Sequence, residues 1–269
     1  MWRLGSAAGP PASPPASSTP SIQAARLPKP DRLGPGMSIG HLLHAAGVTL
    51  RISVPTLFDA LLGTLTPEVC DTRLDWWSKR LLGQAEVSLR VSGIEHARGP
   101  SAFVVMSNHQ SLYDIPALYQ TLPLRLRMVA KAELFRIPIW AQAMRAAGFV
   151  ELDRSARERA IESLERAKGA LARGTSIWIA PEGTRSRDGS LGAFKHGGFH
   201  LAVGAGAQIL PVTVSGTRSI LPAKGARVVP GAIVRVTVHP PIDPAAYGND
   251  VSDPLVAAVR RSIESALAD

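Results

Sequence analysis

The segment Ala102–Asp114, which reads AFVVMSNHQSLYD, decides how the rest of the chain can fold. Its first five residues form a short, continuous apolar run, which is typical of a strand covered on both faces. Polar residues follow at once, and Pro116 is tolerated only in the first turn of a helix. The pattern therefore predicts a strand, a polar loop that holds His109, and a helix that begins around Ser111–Asp114.

Outward from this segment, the same alternation of strand and helix continues along the chain. Alternating or continuous apolar runs predict further strands at Glu86–Val91, Leu126–Ala130, Phe149–Leu152, Ser176–Ala180, Ile209–Val214 and Ile233–Val238. Helical periodicity predicts helices at Ile115–Gln120, Leu134–Ala146, Ala156–Arg173, Phe194–Val203 and Leu255–Leu267, with Gly174 as a left-handed terminator of the third. Strands that alternate with helices predict an α/β fold, in which helices flank a central, mostly parallel sheet.

Three parts of the chain differ in composition. Residues 1–36 are rich in proline, serine and alanine, and such a stretch buries too little apolar surface to offset its ordering entropy, so we expect a disordered tail. We expect residues 37–84 to form membrane-associated helices and residues 85–269 to form the α/β domain.

The apolar stretch Ser38–Leu65 is long enough to cross a bilayer, but its polar residues argue against that. Arg51 lies at its middle and Asp59 follows, and each charge costs about 2.5–3.5 kcal/mol at a bilayer centre. Pro55 also interrupts any single helix. Helix pieces that lie in the membrane interface fit these residues better, although ordinary core packing or a membrane span remain alternatives.

The charge of the chain indicates an anionic partner. Its 269 residues include 30 Lys and Arg against 21 Asp and Glu, a formal net charge of +9. Nucleic acid, acidic lipid and a phosphorylated substrate all fit that surplus, as does a merely solvated basic surface. Basic residues are not interleaved with aromatic residues, which argues against nucleic acid. Cys70 is the single cysteine, which excludes an intramolecular disulfide and a cysteine metal cluster.

Two polar clusters are candidates for the chemistry. Across the loop that follows the apolar run at Ala102–Met106, Asp114 can fold back to hydrogen-bond the imidazole of His109. That contact would make His109 a competent general base. In Ser176–Ser186 (SIWIAPEGTRS), Arg185 offers a planar fork suited to phosphate, while Glu182 can hold that arginine or accept a substrate hydroxyl. Taken singly, the first cluster is better explained by a surface or capping role, and the second by a structural turn with a surface ion pair.

Together the two clusters resemble the signature blocks of the glycerolipid acyltransferase family, and in particular the bacterial 1-acylglycerol-3-phosphate acyltransferases. The NHxxxxD motif ends at Asp114, and EGTRS begins at Glu182. Two more blocks occur in the expected order: Lys131–Phe135 with Pro138, Gly148, Asp153 and Arg154, and later Ile209–Val214 with Gly216 and Thr217. Phe194–Gly197 also resembles the family's segment just after EGTRS. The resemblance covers about residues 68–240, and one position departs from it: Ala141 stands where relatives often have glycine.

The resemblance implies acyl transfer from acyl-CoA or acyl-carrier protein to the free hydroxyl of 1-acylglycerol 3-phosphate, which gives phosphatidic acid. By position, it makes His109 the catalytic base, Asp114 its partner and Pro211 a residue that shapes the acyl site. Residues that it implies for binding the glycerol phosphate are Arg154, Glu182, Gly183, Thr184 and Arg185, with Lys131 and Lys195 as auxiliaries. Residues 85–269 are then the acyltransferase domain, and the chemistry requires no metal and no cofactor.

The same resemblance leaves other acceptors open: glycerol 3-phosphate, a lyso-ornithine lipid or another lysolipid. A non-catalytic lipid-binding protein on the same scaffold is a further alternative. Together with the basic charge, the family resemblance implies a peripheral or monotopic protein that contacts the anionic surface of the cell membrane on its cytoplasmic face. No nucleic-acid partner is expected.

Overall fold

The computed structural model describes residues 38–99, 102–152, 157–225 and 227–267. The helices are α1 Ser38–Leu61, α2 Pro67–Gln84, α3 Asp114–Thr121, α4 Trp140–Ala146, α5 Arg157–Ala172, α6 Gly197–Ala205, α7 Thr217–Ile220 and α8 Asp253–Glu264. The strands are β1 Ser88–Ser92, β2 Val104–Ser107, β3 Leu126–Lys131, β4 Val150–Leu152, β5 Ser176–Ile179, β6 Ile209–Ser215 and β7 Ile233–Val238. The tail predicted to be disordered, residues 1–36, lies outside the described residues.

The seven strands form one sheet in the order β1-β7-β6-β2-β5-β3-β4. Strands β2 to β6 run in one direction, while β7 is antiparallel to β6 and parallel to β1. Apolar residues of α3 and α7 cover one face of the sheet, and those of α5, α6 and α8 cover the other. The predicted α/β fold with a mostly parallel, helix-flanked sheet is confirmed.

Burial explains why the central strands were recognisable in the sequence. Every residue of β2 is buried, as the apolar run predicted, and β7 begins and ends at the predicted residues. Helix α3 begins at Asp114, within the predicted range, and α5 gives way to Gly174, whose φ of +80° is left-handed as expected. The edge strand β1 differs, because it was predicted as half-buried and starting at Glu86 but is mostly exposed and starts at Ser88. It pairs only with β7, so one of its sides has no strand to cover it.

Two prolines affect the helices differently from what the sequence suggested. The prediction that Pro55 breaks the N-terminal helix is wrong, because α1 runs through it without interruption. Pro55 leaves the carbonyl of Arg51, one turn earlier, without its usual amide partner, and both residues are exposed. The single helix predicted over Leu134–Ala146 is also wrong: a 3₁₀ turn at Ala132–Arg136 is separated from α4 by Pro138. The residue before that proline, Ile137, is extended with ψ 117°, which a helix cannot accommodate.

Polar contacts join α1 to α2. The Arg73 guanidinium donates to the Thr56 hydroxyl at 3.0 Å and pairs with Asp59, and the Trp77 indole N–H donates to the Thr49 hydroxyl at 3.0 Å. The helices also pack on the domain, α1 against α4 and α2 against α3. No helix of the described residues is long and apolar enough to cross a membrane.

A buried histidine links β6, β7 and α8. The Thr213 hydroxyl donates to the Ile263 carbonyl at 2.7 Å, so its oxygen accepts from Nε2 of His239 at 2.8 Å. Burial lowers the pKa of His239, and the nearby His96 lowers it further. The fold therefore binds the neutral imidazole in preference to the charged one.

We expect this histidine to weaken the fold in mild acid. The folded-state pKa lies below the unfolded value of about 6.5. The contribution of neutral His239 to the free energy of unfolding is therefore fully present above that pH and is lost as the pH falls below it. In His239→Gln, which keeps an N–H donor near Thr213, urea unfolding between pH 7 and pH 5 should show a smaller loss of stability than wild type. The exposed His44 provides the control, since His44→Gln should keep the wild-type slope, and an unchanged slope in His239→Gln would contradict the assignment.

Candidate active site

The candidate site lies along one edge of the sheet, where five parallel strands end. The carboxyl ends of parallel strands meet at the same edge, and α/β proteins build their sites there. Strand β2 leads to His109, β5 leads to Glu182 and β6 leads to Thr217. Because β2 lies between β5 and β6 in the sheet, its loop is flanked on both sides by the other two.

His109 and Asp114 form a hydrogen-bonded pair, as the sequence predicted. Nδ1 of the imidazole lies 2.7 Å from Oδ2 of the carboxylate, which is completely buried, while 14% of the His109 side chain is exposed. The ring also packs edge-on against Trp178, with centroids 5.4 Å apart. Since a carboxylate only accepts hydrogen bonds, Nδ1 carries the proton and Nε2 keeps its lone pair for a partner.

The Asp114 carboxylate is held by more donors than the sequence indicated. Besides the imidazole, Oδ2 accepts the backbone N–H groups of Gln110 at 2.7 Å and Ser111 at 2.9 Å. Oδ1 accepts from the hydroxyl of Thr217, which is buried and 103 positions away in the chain. Thr217 belongs to the signature block that begins at Ile209, but no local pattern in the sequence links it to Asp114 or indicates a role.

The side chain of Asn108 fixes the start of the same loop. Its amide nitrogen donates to the Val214 carbonyl at 2.8 Å, and its amide oxygen accepts from the Val214 N–H at 2.8 Å. An amide that pairs with both backbone groups of one residue continues the sheet beyond the end of β2. The His109 loop is thereby tied to β6 at the point where the strand pairing ends.

Glu182 has a different set of partners from either one considered in the sequence analysis. Its two carboxylate oxygens accept the backbone N–H of His109 at 3.0 Å and that of Gly192 at 2.8 Å, and only 5% of the residue is exposed. Burial raises the pKa of this carboxyl, and the two backbone hydrogen bonds oppose that effect. Glu182 therefore joins the His109 loop to the chain after β5, and it makes no ion pair with Arg185 among the described contacts.

The EGTRS segment lies directly against the loop that holds His109. The Ser186 N–H donates to the His109 carbonyl at 2.7 Å, which brings the neighbouring Arg185 to the same loop. Gly183 has a φ of +70°, a conformation that favours glycine, and Thr184 is exposed. Arg185 is half-buried and has no ion-pair partner within the described residues, so its charge is available to a ligand.

The two predicted auxiliary lysines lie at the same edge. Lys131 is the last residue of β3, three positions beyond Met128, which pairs with Trp178 of β5. The Lys195 N–H donates to the Pro181 carbonyl at 2.8 Å, so this residue returns to the base of the EGTRS loop. Both lysines are exposed. Arg154, the remaining predicted phosphate ligand, lies outside the described residues.

An apolar cavity of about 180 Å³ lies beneath this edge. Leu152, Leu164 and Ile179 line it, and Lys195 and Pro181 lie at the end nearest the EGTRS loop. Pro211, predicted to shape the acyl site, is buried within β6 opposite Met106 and does not line this cavity. Ala141 is also buried elsewhere, in a small cluster with Phe135 and Met144.

These features combine a proton acceptor with positive charge and an apolar cavity. The Nε2 lone pair can take a proton from a hydroxyl group, and Arg185 with the two lysines can hold an anion close by. The cavity offers a place for an alkyl chain. An amphiphilic substrate with a phosphate and a hydroxyl group fits this arrangement.

Comparison with known proteins also indicates an acyltransferase. The family model described as Acyltransferase matches residues 88–215. The chain is 36% identical over 155 residues to a chloroplastic 1-acyl-sn-glycerol-3-phosphate acyltransferase of Arabidopsis thaliana. The aligned region covers 57% of this chain and 43% of that protein. It is 34% identical to the 1-acyl-sn-glycerol-3-phosphate acyltransferase of Salmonella typhimurium, over 62% of this chain and 67% of that protein.

A solved structure extends the similarity to the whole fold. The 1-acyl-sn-glycerophosphate acyltransferase PlsC from Thermotoga maritima superimposes with a TM-score of 0.72 and 27% identity, covering 86% of this chain and 94% of that one. The signature residues, the order of the strands and these matches agree with one another. The chain belongs to the acyltransferase family.

Proposed function

We propose that this protein transfers a fatty acyl group from acyl-CoA or acyl-carrier protein to the free hydroxyl of 1-acylglycerol 3-phosphate, which gives phosphatidic acid. The observation that carries the proposal is the buried Asp114 carboxylate that holds Nδ1 of His109 beside a loop with Arg185, a cation without an ion pair among the described residues. The names of the matched relatives support the same acceptor. The matched region spans only 43% of the length of the plant relative.

In the proposed reaction, His109 acts as a general base. A glycerol hydroxyl is a poor nucleophile at neutral pH, so Nε2 removes its proton while the oxygen attacks the thioester carbonyl. The carbon–sulfur bond then breaks, and the imidazolium returns the proton to the departing sulfur. A thiol with a pKa of about 8.5 leaves readily, so neither a metal nor a covalent enzyme intermediate is needed.

The acceptor phosphate is proposed to bind to Arg185, with Lys131, Lys195 and Arg154 as further cations. A guanidinium binds phosphate through two parallel hydrogen bonds, which fixes the orientation of the acceptor as well as its position. We infer that Glu182 orients the loop, since both of its oxygens already accept backbone N–H groups. Gly183 and Thr184 then shape the turn that presents Arg185.

The acyl chain is proposed to enter the apolar cavity beneath the loop. Burial of apolar surface contributes about 25 cal/mol per Å², so a fatty chain favours such a cavity over water. The lining by Leu152, Leu164 and Ile179 supplies that apolar environment.

Helix α1 supports a peripheral position at the membrane. The side that faces α2 uses polar residues, Thr49, Thr56 and Asp59. The opposite side exposes a row of large apolar residues at helical spacing: Leu43, Leu50, Val54, Phe58 and Leu61. A soluble helix has the reverse arrangement, whereas a helix in the membrane interface buries its apolar side in lipid.

Basic residues border this apolar row. The guanidinium groups of Arg51 and Arg80 lie 5.4 and 5.5 Å from the ring centroid of Trp76. Lys and Arg side chains near a membrane surface are attracted to anionic lipid head groups. We therefore propose that α1 lies on the anionic surface of the cell membrane, on its cytoplasmic face, where the lipid acceptor is located.

Replacing the general base tests the enzyme against a lipid-binding protein. In His109→Ala, kcat with acyl-CoA and 1-acylglycerol 3-phosphate should fall about 10²–10⁴-fold, because the hydroxyl loses its proton acceptor. Turnover is measured with radiolabelled donor and folding by thermal unfolding, with His200→Ala, an exposed histidine of α6, as the control. Wild-type turnover in His109→Ala would refute the mechanism. A wild-type protein that binds every lysolipid of a panel but acylates none would favour the non-catalytic alternative.

Replacing Arg185 tests the phosphate site. A hydrogen bond to a charged group contributes about 1.5–3 kcal/mol, so Arg185→Ala should raise the acceptor KM about 10- to 100-fold with a much smaller change in kcat. Arg173→Ala is the matched control, because Arg173 precedes β5 and lies at the opposite edge of the sheet. An unchanged acceptor KM in Arg185→Ala would remove that residue from the site.

Replacing the exposed apolar residues of α1 tests membrane binding. Leu50→Gln with Phe58→Gln should lower partitioning onto vesicles of phosphatidylethanolamine and phosphatidylglycerol by about tenfold or more, because two large side chains no longer enter lipid. Sedimentation with vesicles measures the bound fraction, and Ile161→Gln, an equally exposed residue of α5, should bind like wild type. Equal partitioning of all three proteins would show that α1 does not carry the interaction.

A further inference from the structure

Thr217 contacts the one oxygen of the Asp114 carboxylate that the His109 loop does not reach. Oδ2 accepts from the imidazole and from two backbone N–H groups, whereas Oδ1 accepts from the Thr217 hydroxyl. Both Asp114 and Thr217 are completely buried, so water does not replace this donor. We propose that Thr217 is a positioning residue, which fixes the plane of the carboxylate and through it the orientation of the His109 ring.

The backbone before Thr217 is shaped for this contact. Gly216 has a φ of +96°, and a Cβ atom at that position would lie 2.3 Å from the Ile233 carbonyl oxygen. Only glycine lets the chain turn this closely against β7, and the turn starts α7 with Thr217 as its first residue. The geometry of the turn thus delivers the hydroxyl group to Asp114.

Three further hydrogen bonds, involving the side chains of Asn108 and Ser111, hold the segment around Thr217 against the His109 loop. On one side, the Asn108 amide pairs with both backbone groups of Val214. On the other side, the Ser111 hydroxyl donates to the Leu221 carbonyl at 2.8 Å. Thr217 lies between these two ties, so its distance from Asp114 is set by the packing of β6 and α7 and not by the side chain alone.

Removing the hydroxyl would leave a buried carboxylate oxygen without a donor. That loss costs about the full desolvation penalty of the group, and the carboxylate can recover part of it by rotating toward another donor. Rotation moves Oδ2 away from Nδ1, so the imidazole loses the partner that aligns it. Because Thr217 touches neither Arg185 nor the two lysines among the described contacts, the effect should fall on the proton transfer and spare acceptor binding.

This inference rests on the proposed role of His109 as general base, and three variants test it. Thr217→Val keeps the shape of the side chain and removes the hydroxyl, and kcat should fall about 10- to 100-fold at an unchanged acceptor KM. Thr217→Ser keeps the hydroxyl and should remain within a few-fold of wild type. Ser219→Ala removes an exposed hydroxyl from the same short helix and should leave kcat unchanged. Wild-type kcat in Thr217→Val, or an equal loss in Thr217→Ser, would overturn the proposal.

A double variant separates positioning from a general loss of packing. If Thr217 acts only through Asp114, then Thr217→Val should cause little further loss of kcat in an Asp114→Asn background. Losses that multiply in the double variant would show that Thr217 stabilises the fold independently of the carboxylate, and the proposal would fail.

A measurement without turnover distinguishes this inference from the proposed function. The His109 Nδ1 proton should give a low-field proton NMR signal, assigned by its loss in His109→Ala. The signal should persist in Thr217→Ser and Ser219→Ala but shift or broaden in Thr217→Val. If the wild-type protein acylates no lysolipid, the proposed function fails while this signal still decides the role of Thr217. An unaltered signal in Thr217→Val rejects the positioning role.

Discussion

The hydrogen bonds to the buried carboxylate of Asp114 are the interaction on which the rest of the site depends. Four donors converge on this group: an imidazole, two backbone N–H groups and a threonine hydroxyl. A buried charge is tolerated when it is this completely hydrogen-bonded, and its donors are then held in place by it. The carboxylate thus organises the loop after β2, and it joins that loop to the start of α7.

The parallel sheet makes such a convergence possible. Strands β5, β2 and β6 are neighbours that end at one edge, so the loop after β2 lies between the other two, although its contacts with Glu182 and Thr217 join residues 73 and 103 positions apart in the chain. Glu182 ties the first of these loops to the second, and Asn108 ties the second to β6. Each tie pairs a side chain with backbone groups, which fixes loop positions more firmly than contacts between flexible side chains do.

The N-terminal helix α1 follows a different physical rule from the helices that flank the sheet. Around the sheet, apolar side chains lie between the strands and those helices. In α1, polar groups such as Thr49 and Thr56 face the partner helix, and apolar groups such as Leu50 and Phe58 face outward. Arg73, which pairs with Asp59, balances the charge that argued against membrane insertion in the sequence. A candidate site held by hydrogen bonds and an outward apolar surface together suit the proposed chemistry on a lipid.

The sequence by itself determined the fold class, most strand positions and the pairing of His109 with Asp114. Those features leave local marks, since the buried run of β2 and the helix start at Asp114 depend on residues close together in the chain. Only the tertiary structure decided the strand order, the passage of α1 through Pro55, the partners of Glu182 and the contact of Thr217 with Asp114. These depend on groups far apart in sequence or on which side of an element meets water. Periodicity and motif spacing do not record such relations, because they describe only what neighbouring residues do.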